Sequence, residues 1–161
     1  MSLKLVIFDV DGLLLDTERV WQDVWYDTAR DFGIDDWKRE NFLNVVGRSG
    51  QPVYDYMEEQ FRGRCSTEEF MDVARRNGME RLERELRVKP GAVELLNCIK
   101  KAGLPCAVAT ATGRPLTEER LTRLHLLQYF DYLCCGDEVV ERKPSPEAYL
   151  KVLAKMNTAP E

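Results

Sequence analysis

The rhythm of apolar and polar positions changes twice along the chain. Residues 3–8, with Lys4 the one exception, form a short apolar run, the pattern of a strand buried on both faces, as in a parallel sheet. After Thr17 the period becomes helical. Trp21, Val24, Trp25, Thr28 and Phe32 fall at i, i+3, i+4, i+7 and i+11 and make one stripe, with Gly33 as its stop. Pro52 opens a second helix carrying Val53, Tyr56, Met57 and Phe61. Ser66 with Glu69 three residues later is a capping box, and the charged helix it starts runs to about Leu86. Strand-like alternation is absent from residues 17–87, which predicts an all-helical segment there. The Trp21, Trp25, Phe32 stripe reads as helical core rather than a substrate box. The Arg and Glu positions over residues 75–87 read as a solvated face with i,i+4 pairs.

From Val88 the grammar reverts. Lys89-Pro90-Gly91 marks a turn, and a helix follows with Val93, Leu96 and Ile99 inward, Lys100 and Lys101 in its last turn and Gly103 just beyond. "LPCAVATAT" is a second buried strand ending in the hydroxyls of Thr110 and Thr112. The next helix has Pro115 near its first turn and Leu121 and Leu124 on one side. "YFDYLCCGDEV" holds a third strand, and a final helix has Ser145 as its cap and Pro146 at its first position. Strands alternating with helices of this length predict an α/β fold with a parallel sheet. The organisation expected is therefore a core made of residues 1–16 and 88–161, interrupted by a helical domain over residues 17–87.

Composition narrows the function classes. A net charge of −5 over 161 residues argues against a nucleic-acid partner, whose footprint is a basic stripe. No apolar run approaches the roughly 20 residues that span a bilayer, so no membrane partner is expected. Asp9 and Asp11 interrupt the first apolar segment too early for a signal peptide. Five cysteines without a CxxC pair, beside a single His125, give no zinc pattern and predict reduced thiols in a cytoplasmic protein.

The chemistry sits at the strand ends. In an open α/β sheet the ligand site lies beyond the carboxyl ends of the strands. That rule gathers Asp9 and Asp11 after the first strand, Thr110 after the second and Lys143 in the loop after the third. Neighbouring carboxylates repel unless a cation lies between them, and a hard divalent ion such as Mg²⁺ meets that need, making Asp9 and Asp11 candidate metal ligands. The hydroxyl and ammonium then suit phosphate oxygens. These residue types point to phosphoryl chemistry on an aspartate.

"DVDGLLLDT" resembles the first motif of the haloacid dehalogenase (HAD) superfamily in its phosphatase form, DxDGxxxDT. Thr110 in "VATAT" resembles the second motif, and Lys143 in "RKPSPEAY" the third. The helical insertion is similar to the cap of the branch containing β-phosphoglucomutase and phosphoglycolate phosphatase. The resemblance implies a HAD-like, Rossmann-like three-layer α/β/α core. It makes Asp9 the nucleophile, Asp11 the general acid and base, and Thr110 with the Ala111 amide and Lys143 the phosphate-binding groups. It also implies Mg²⁺ on Asp9 with the Val10 carbonyl as a further ligand, a hinge at Asp16 and Thr17, and a substrate-facing loop in the cap that contains Arg48.

Two departures qualify the resemblance. Trp21 stands where the mutase has a histidine that assists its acid/base aspartate, and Gly50 where its cap has an arginine for the second phosphate. Both favour a phosphatase acting on a small phosphorylated metabolite over a phosphosugar mutase. The sequence also ends at Glu161, where the next strand should lead to the fourth, acidic motif. The C-terminal strands of the core are thus expected to be missing. That leaves a non-catalytic phosphate-binding fragment as a further alternative, with a monomer expected for a complete chain and self-association for a truncated one.

Overall fold

The computed structural model describes residues 3–48 and 50–159. In chain order the elements are β1 (Val6–Phe8), α1 (Thr17–Asp31), a 3-10 turn (Arg39–Asn44), α2 (Gln51–Phe61), α3 (Thr67–Glu85), α4 (Ala92–Lys101), β2 (Cys106–Ala109), α5 (Arg114–Arg123), a 3-10 turn (Leu127–Tyr129), β3 (Tyr132–Cys134) and α6 (Glu147–Lys155). They form two compact units, Met1–Asp16 with Arg87–Glu161, and Thr17–Leu86.

The first unit is built on a parallel sheet of order β1-β2-β3. Each strand is followed by a helix that returns the chain to the same end of the sheet, which is what parallel pairing demands. Central β2 is buried along its whole length. Ala107, Ala109 and Cys134 make the floor of a cluster with Ala148 and Val152 of α6, where small side chains let the helix approach closely. The opening apolar run was expected to be buried on both faces, yet only Phe8 of β1 is fully buried. Among the described residues β1 has one neighbouring strand, so no strand pairs with its other edge. Two helix details also differ from expectation. Ala92, Leu96 and Ile99 form the buried stripe of α4, while Val93 is exposed. Helix α6 starts one residue later than expected, with Pro146 as its N-cap. The Ser145 hydroxyl still accepts the Glu147 amide at 3.3 Å.

The chain leaves and re-enters this unit at neighbouring points. The Asp16 amide donates to the Arg87 carbonyl (2.9 Å), Lys89 N to the Leu14 carbonyl (2.8 Å), and Lys89 Nζ pairs with Asp16 at 3.3 Å.

The second unit is all helical and held by aromatic packing. Trp25 lies edge-on to Phe42 (ring centroids 5.2 Å apart) and Phe70 (5.8 Å), and Phe61 packs tilted against Phe70 at 4.7 Å. Such contacts add to burial because ring edges are positive and ring faces negative. The Ser66 hydroxyl accepts the Glu69 amide and caps α3. On the solvated side Arg81 and Glu85, and Arg84 and Glu80, pair at i,i+4. Gly78 of α3 has a specific purpose: a Cβ there would lie 2.0 Å from the Trp21 ring. Trp25 is core, as expected. Trp21 is only half-buried, and with Trp25, Phe42, Val46, Met71 and Met79 it walls a cavity of about 530 Å³. The aromatic stripe is therefore part core and part cavity wall, because the indole of Trp21 lies along α3 instead of entering the aromatic cluster.

Among the described residues no helix is long and apolar enough to cross a membrane.

Candidate active site

After Phe8 the backbone turns sharply. The Val10 carbonyl accepts the amides of Leu13, Leu14 and Leu15 (3.0–3.4 Å), and Gly12, at φ +77°, supplies the left-handed step that the turn requires. The turn leaves Asp9 and Asp11 at the carboxyl end of β1 while Val10, Leu14 and Leu15 are buried beneath it. It also engages the Val10 carbonyl, which the resemblance implies as a further metal ligand, with three backbone donors.

Asp9 and Asp11 have different surroundings. Lys143 Nζ donates to Asp9 Oδ1 at 3.0 Å and to the Ala109 carbonyl at 2.9 Å, and lies 5.2 Å from the centre of the Tyr149 ring. The second contact fixes the ammonium to the end of β2, so Lys143 is placed by the sheet as well as by its own loop. Burial pulls the Lys143 pKa down, but the hydrogen bond and charge of Asp9, helped by Tyr149, outweigh it and hold the group above its ordinary value. It stays an ammonium at neutral pH. Asp9 remains 37% exposed, open to a ligand on its other side.

Asp11 is gripped by two donors. Thr112 Oγ1 donates to Asp11 Oδ2 at 2.6 Å, and Arg120 Nη1 to Asp11 Oδ1 at 3.1 Å. Arg120 comes from α5 and is only 5% exposed. Burial pulls its pKa below the usual guanidinium value, with the charge of Asp11 opposing the shift. Both carboxylates thus face a cation, Asp9 the Lys143 ammonium and Asp11 the Arg120 guanidinium. The acid pair after β3 is also committed. Asp137 accepts the Arg114 amide, and Glu138 accepts the Cys135 amide and Arg114 Nη2.

Thr110 is buried at the end of β2, and its amide donates to the Cys134 carbonyl at 3.0 Å. Its hydroxyl accepts the Thr112 amide at 3.2 Å, a side chain turning its own backbone, and does not cap α5, whose N-cap is Gly113. Ala111 is exposed at the apex of this loop. The loop is pressed against Gly136: a Cβ on Gly136 would lie 2.0 Å from the Ala111 carbonyl. The Gly136 amide instead donates to the Thr112 carbonyl at 2.9 Å.

The first unit thus brings Asp9, Lys143, Asp11, Thr112 and Thr110 to the carboxyl ends of its three strands. Arg48 belongs to the helical unit, where it is exposed at the cavity walled by Trp21 and Met79. Two residues of the cluster were not foreseen. Thr112 was read only as a strand-end hydroxyl. Arg120 has the spacing of a core position, three after Thr117 and beside Leu121, and its spacing from Asp11 in sequence carries no signal.

The haloacid dehalogenase-like hydrolase family model matches residues 6–161. A phosphorylated carbohydrates phosphatase of Thermotoga maritima is 34% identical over 162 residues, covering 99% of this chain and 73% of that protein. Hexitol phosphatase B of Escherichia coli is 29% identical, covering 99% of this chain and 72% of its own. A solved Thermotoga maritima structure, provisionally named a β-phosphoglucomutase, superposes with a TM-score of 0.77 at 31% identity, covering 99% of this chain and 73% of its own. The chain belongs to the haloacid dehalogenase-like hydrolases. Within them it is a phosphatase.

Proposed function

We propose that the chain hydrolyses phosphate monoesters of small metabolites, sugar phosphates or similar, through an aspartyl-phosphate on Asp9. The observation that carries this reading is the Asp9–Lys143 pair. A half-exposed carboxylate is oriented by an ammonium that is itself tied to β2. A carboxylate nucleophile splits one difficult displacement into two easier ones. In the first, an Asp9 oxygen bonds to phosphorus as the bond to the leaving oxygen breaks, and Asp11 gives that oxygen a proton. In the second, a water oxygen attacks phosphorus while Asp11 takes its proton, and the bond to Asp9 breaks. Lys143 offsets negative charge on the phosphoryl oxygens, and the Thr110–Ala111 loop orients them. The open carboxylate of Asp9 is a hard oxygen donor that suits Mg²⁺, an ion that keeps waters and takes few protein ligands. Bound there, Mg²⁺ would neutralise phosphoryl charge during transfer.

The helical unit fits the role of a substrate-selecting cap, with Arg48 as a substrate contact. Its Gly50 disfavours the mutase reading on backbone grounds too. At φ +68° this residue occupies a region that side chains rarely adopt, so an arginine in that place would be strained. Relatives named for carbohydrate and hexitol phosphates support a polyol phosphate as substrate.

The test is release of inorganic phosphate from p-nitrophenyl phosphate and sorbitol 6-phosphate with and without Mg²⁺. Turnover that needs Mg²⁺ supports the reading. Phosphorus NMR with β-glucose 1-phosphate should show inorganic phosphate only, and glucose 6-phosphate accumulating in its place would make the chain a mutase. Tight phosphate binding without turnover would make it a binding module.

A further inference from the structure

We propose that Arg120 is the positioning residue of the acid/base aspartate, selecting which carboxylate oxygen of Asp11 carries the transferred proton. The inference rests on the phosphatase reading above and adds a residue to it.

On α5, Thr117, Arg120 and Leu121 fall at i, i+3 and i+4, and all three are buried. A charged residue at such a position costs several kcal/mol in desolvation, and an apolar side chain of similar volume would serve stability as well or better. Arg120 therefore needs a reason other than packing. Its Nη1 stands 3.1 Å from Asp11 Oδ1. A guanidinium has donors only and never an acceptor. Oδ1 must accept there, so it cannot point a hydrogen towards Arg120. Oδ2 faces the Thr112 hydroxyl at 2.6 Å. A hydroxyl both donates and accepts and can rotate, so Thr112 serves a carboxylate and a carboxylic acid alike. The pairing leaves Oδ2 as the oxygen that holds the proton and Oδ1 as the fixed pivot.

Thr112 is itself held in place. Its amide donates to Thr110 Oγ1, and its carbonyl accepts the Gly136 amide. The acid/base group is thus tied by Thr112 to the phosphate-binding loop and by Arg120 to α5. Asp9, in contrast, is tied through Lys143 to β2 and the loop after β3. The nucleophile and the proton donor are thus oriented by different side chains, Lys143 for the one and Arg120 with Thr112 for the other.

The experiment compares kcat/KM for an alkyl ester, glycerol 1-phosphate, with that for p-nitrophenyl phosphate in the full chain with Mg²⁺. This parameter reports steps up to phosphoryl transfer, where only the alkoxide needs a proton. Arg120→Met should lose about 100-fold with the alkyl ester, the lower range of acid/base contributions. The loss with the aryl ester should be no more than about a tenth of that. Arg120→Lys, which keeps a donor-only cation, should recover at least about half of the alkyl loss on a logarithmic scale. Equal losses with both esters, or none, would overturn the proposal. If the chain turns over neither ester the phosphatase reading fails. The positioning claim is then decided by carboxyl-labelled aspartate NMR, with the Asp11 resonance identified by its loss in Asp11→Asn. That resonance should shift in Arg120→Met and return towards its place in Arg120→Lys; a resonance indifferent to both variants overturns the claim.

Discussion

The two compact units solve opposite problems with opposite materials. At the strand ends of the first, charged and hydroxyl groups meet in pairs: Lys143 with Asp9, Arg120 and Thr112 with Asp11. In the second, the largest aromatic residues pack edge to face and leave a cavity walled mostly by Trp, Phe, Val and Met, with Arg48 and Arg75 among its few charged groups. Preorganised charge is worth most where charge develops in a reaction. A mostly apolar hollow with a few polar groups is the usual make-up of a small-molecule pocket. On the proposed reading the first unit does the chemistry and the second the selecting, and each assignment can be broken by its own substitution.

The largest effect should come from the nucleophile. Asp9→Asn should keep the fold and remove at least about three orders of magnitude of turnover, because an amide does not attack phosphorus as a carboxylate does. Steady-state phosphate release beside a circular dichroism spectrum checks both halves. Turnover within ten-fold of the parent would remove Asp9 from the mechanism. Lys143→Met should come next, at roughly 10²-fold in kcat, the usual size of a lost charge-stabilising donor. The loss should be in kcat more than KM, since Lys143 acts on charge that grows in the transition state. A pure KM effect would make it a ground-state binding group.

The same contrast shows what could be read from sequence. The strand-helix order, the helical insertion and the strand-end location of Asp9, Asp11, Thr110 and Lys143 are carried by local patterns: continuous apolar runs, helical stripes, and turn residues such as Gly12 and Gly103. Contacts across the fold are not. Arg120 lies 109 residues from Asp11, in a stripe where leucine would look natural. The engagement of the Val10 carbonyl by three amides depends on a turn that the letters "DVDGLLLDT" do not spell out. Trp21 fits a core stripe by spacing, and only the small Gly78 on the neighbouring helix lets it wall a cavity instead.

That pair gives the test of the selecting unit. Gly78→Ala puts a methyl group where the Trp21 ring lies, and overpacking of this kind costs about 1–3 kcal/mol. Thermal unfolding should report the loss. If the cavity serves selection, KM should change several-fold while kcat for p-nitrophenyl phosphate, set by the other unit, holds within about two-fold. A fall in kcat with KM unchanged would erase the division of labour.

The smallest effect should come from Glu147, which supports the Lys143 loop without touching the reacting groups. Its carboxylate accepts the amides of Val140 (3.0 Å) and Glu141 (2.7 Å) and pairs with Lys151. The Glu141 and Val140 amides, with Lys151 between them in strength, pull its pKa from 4.5 down to about 2. A group whose pKa is depressed on folding stabilises the folded state in its charged form. Its contribution is complete above the unfolded value of 4.5 and is lost as pH falls towards about 2. Glu147→Gln should therefore match the parent near pH 2 and fall behind it as pH rises through that window, with a constant small deficit at neutral pH. Because this carboxylate is on the surface, the deficit should be modest, and activity should drop no more than several-fold through looser placement of Lys143. Unfolding midpoints measured between pH 2 and pH 7 check the sign. A deficit that grows as pH is lowered would show that the carboxylate holds the loop by some means other than its charge.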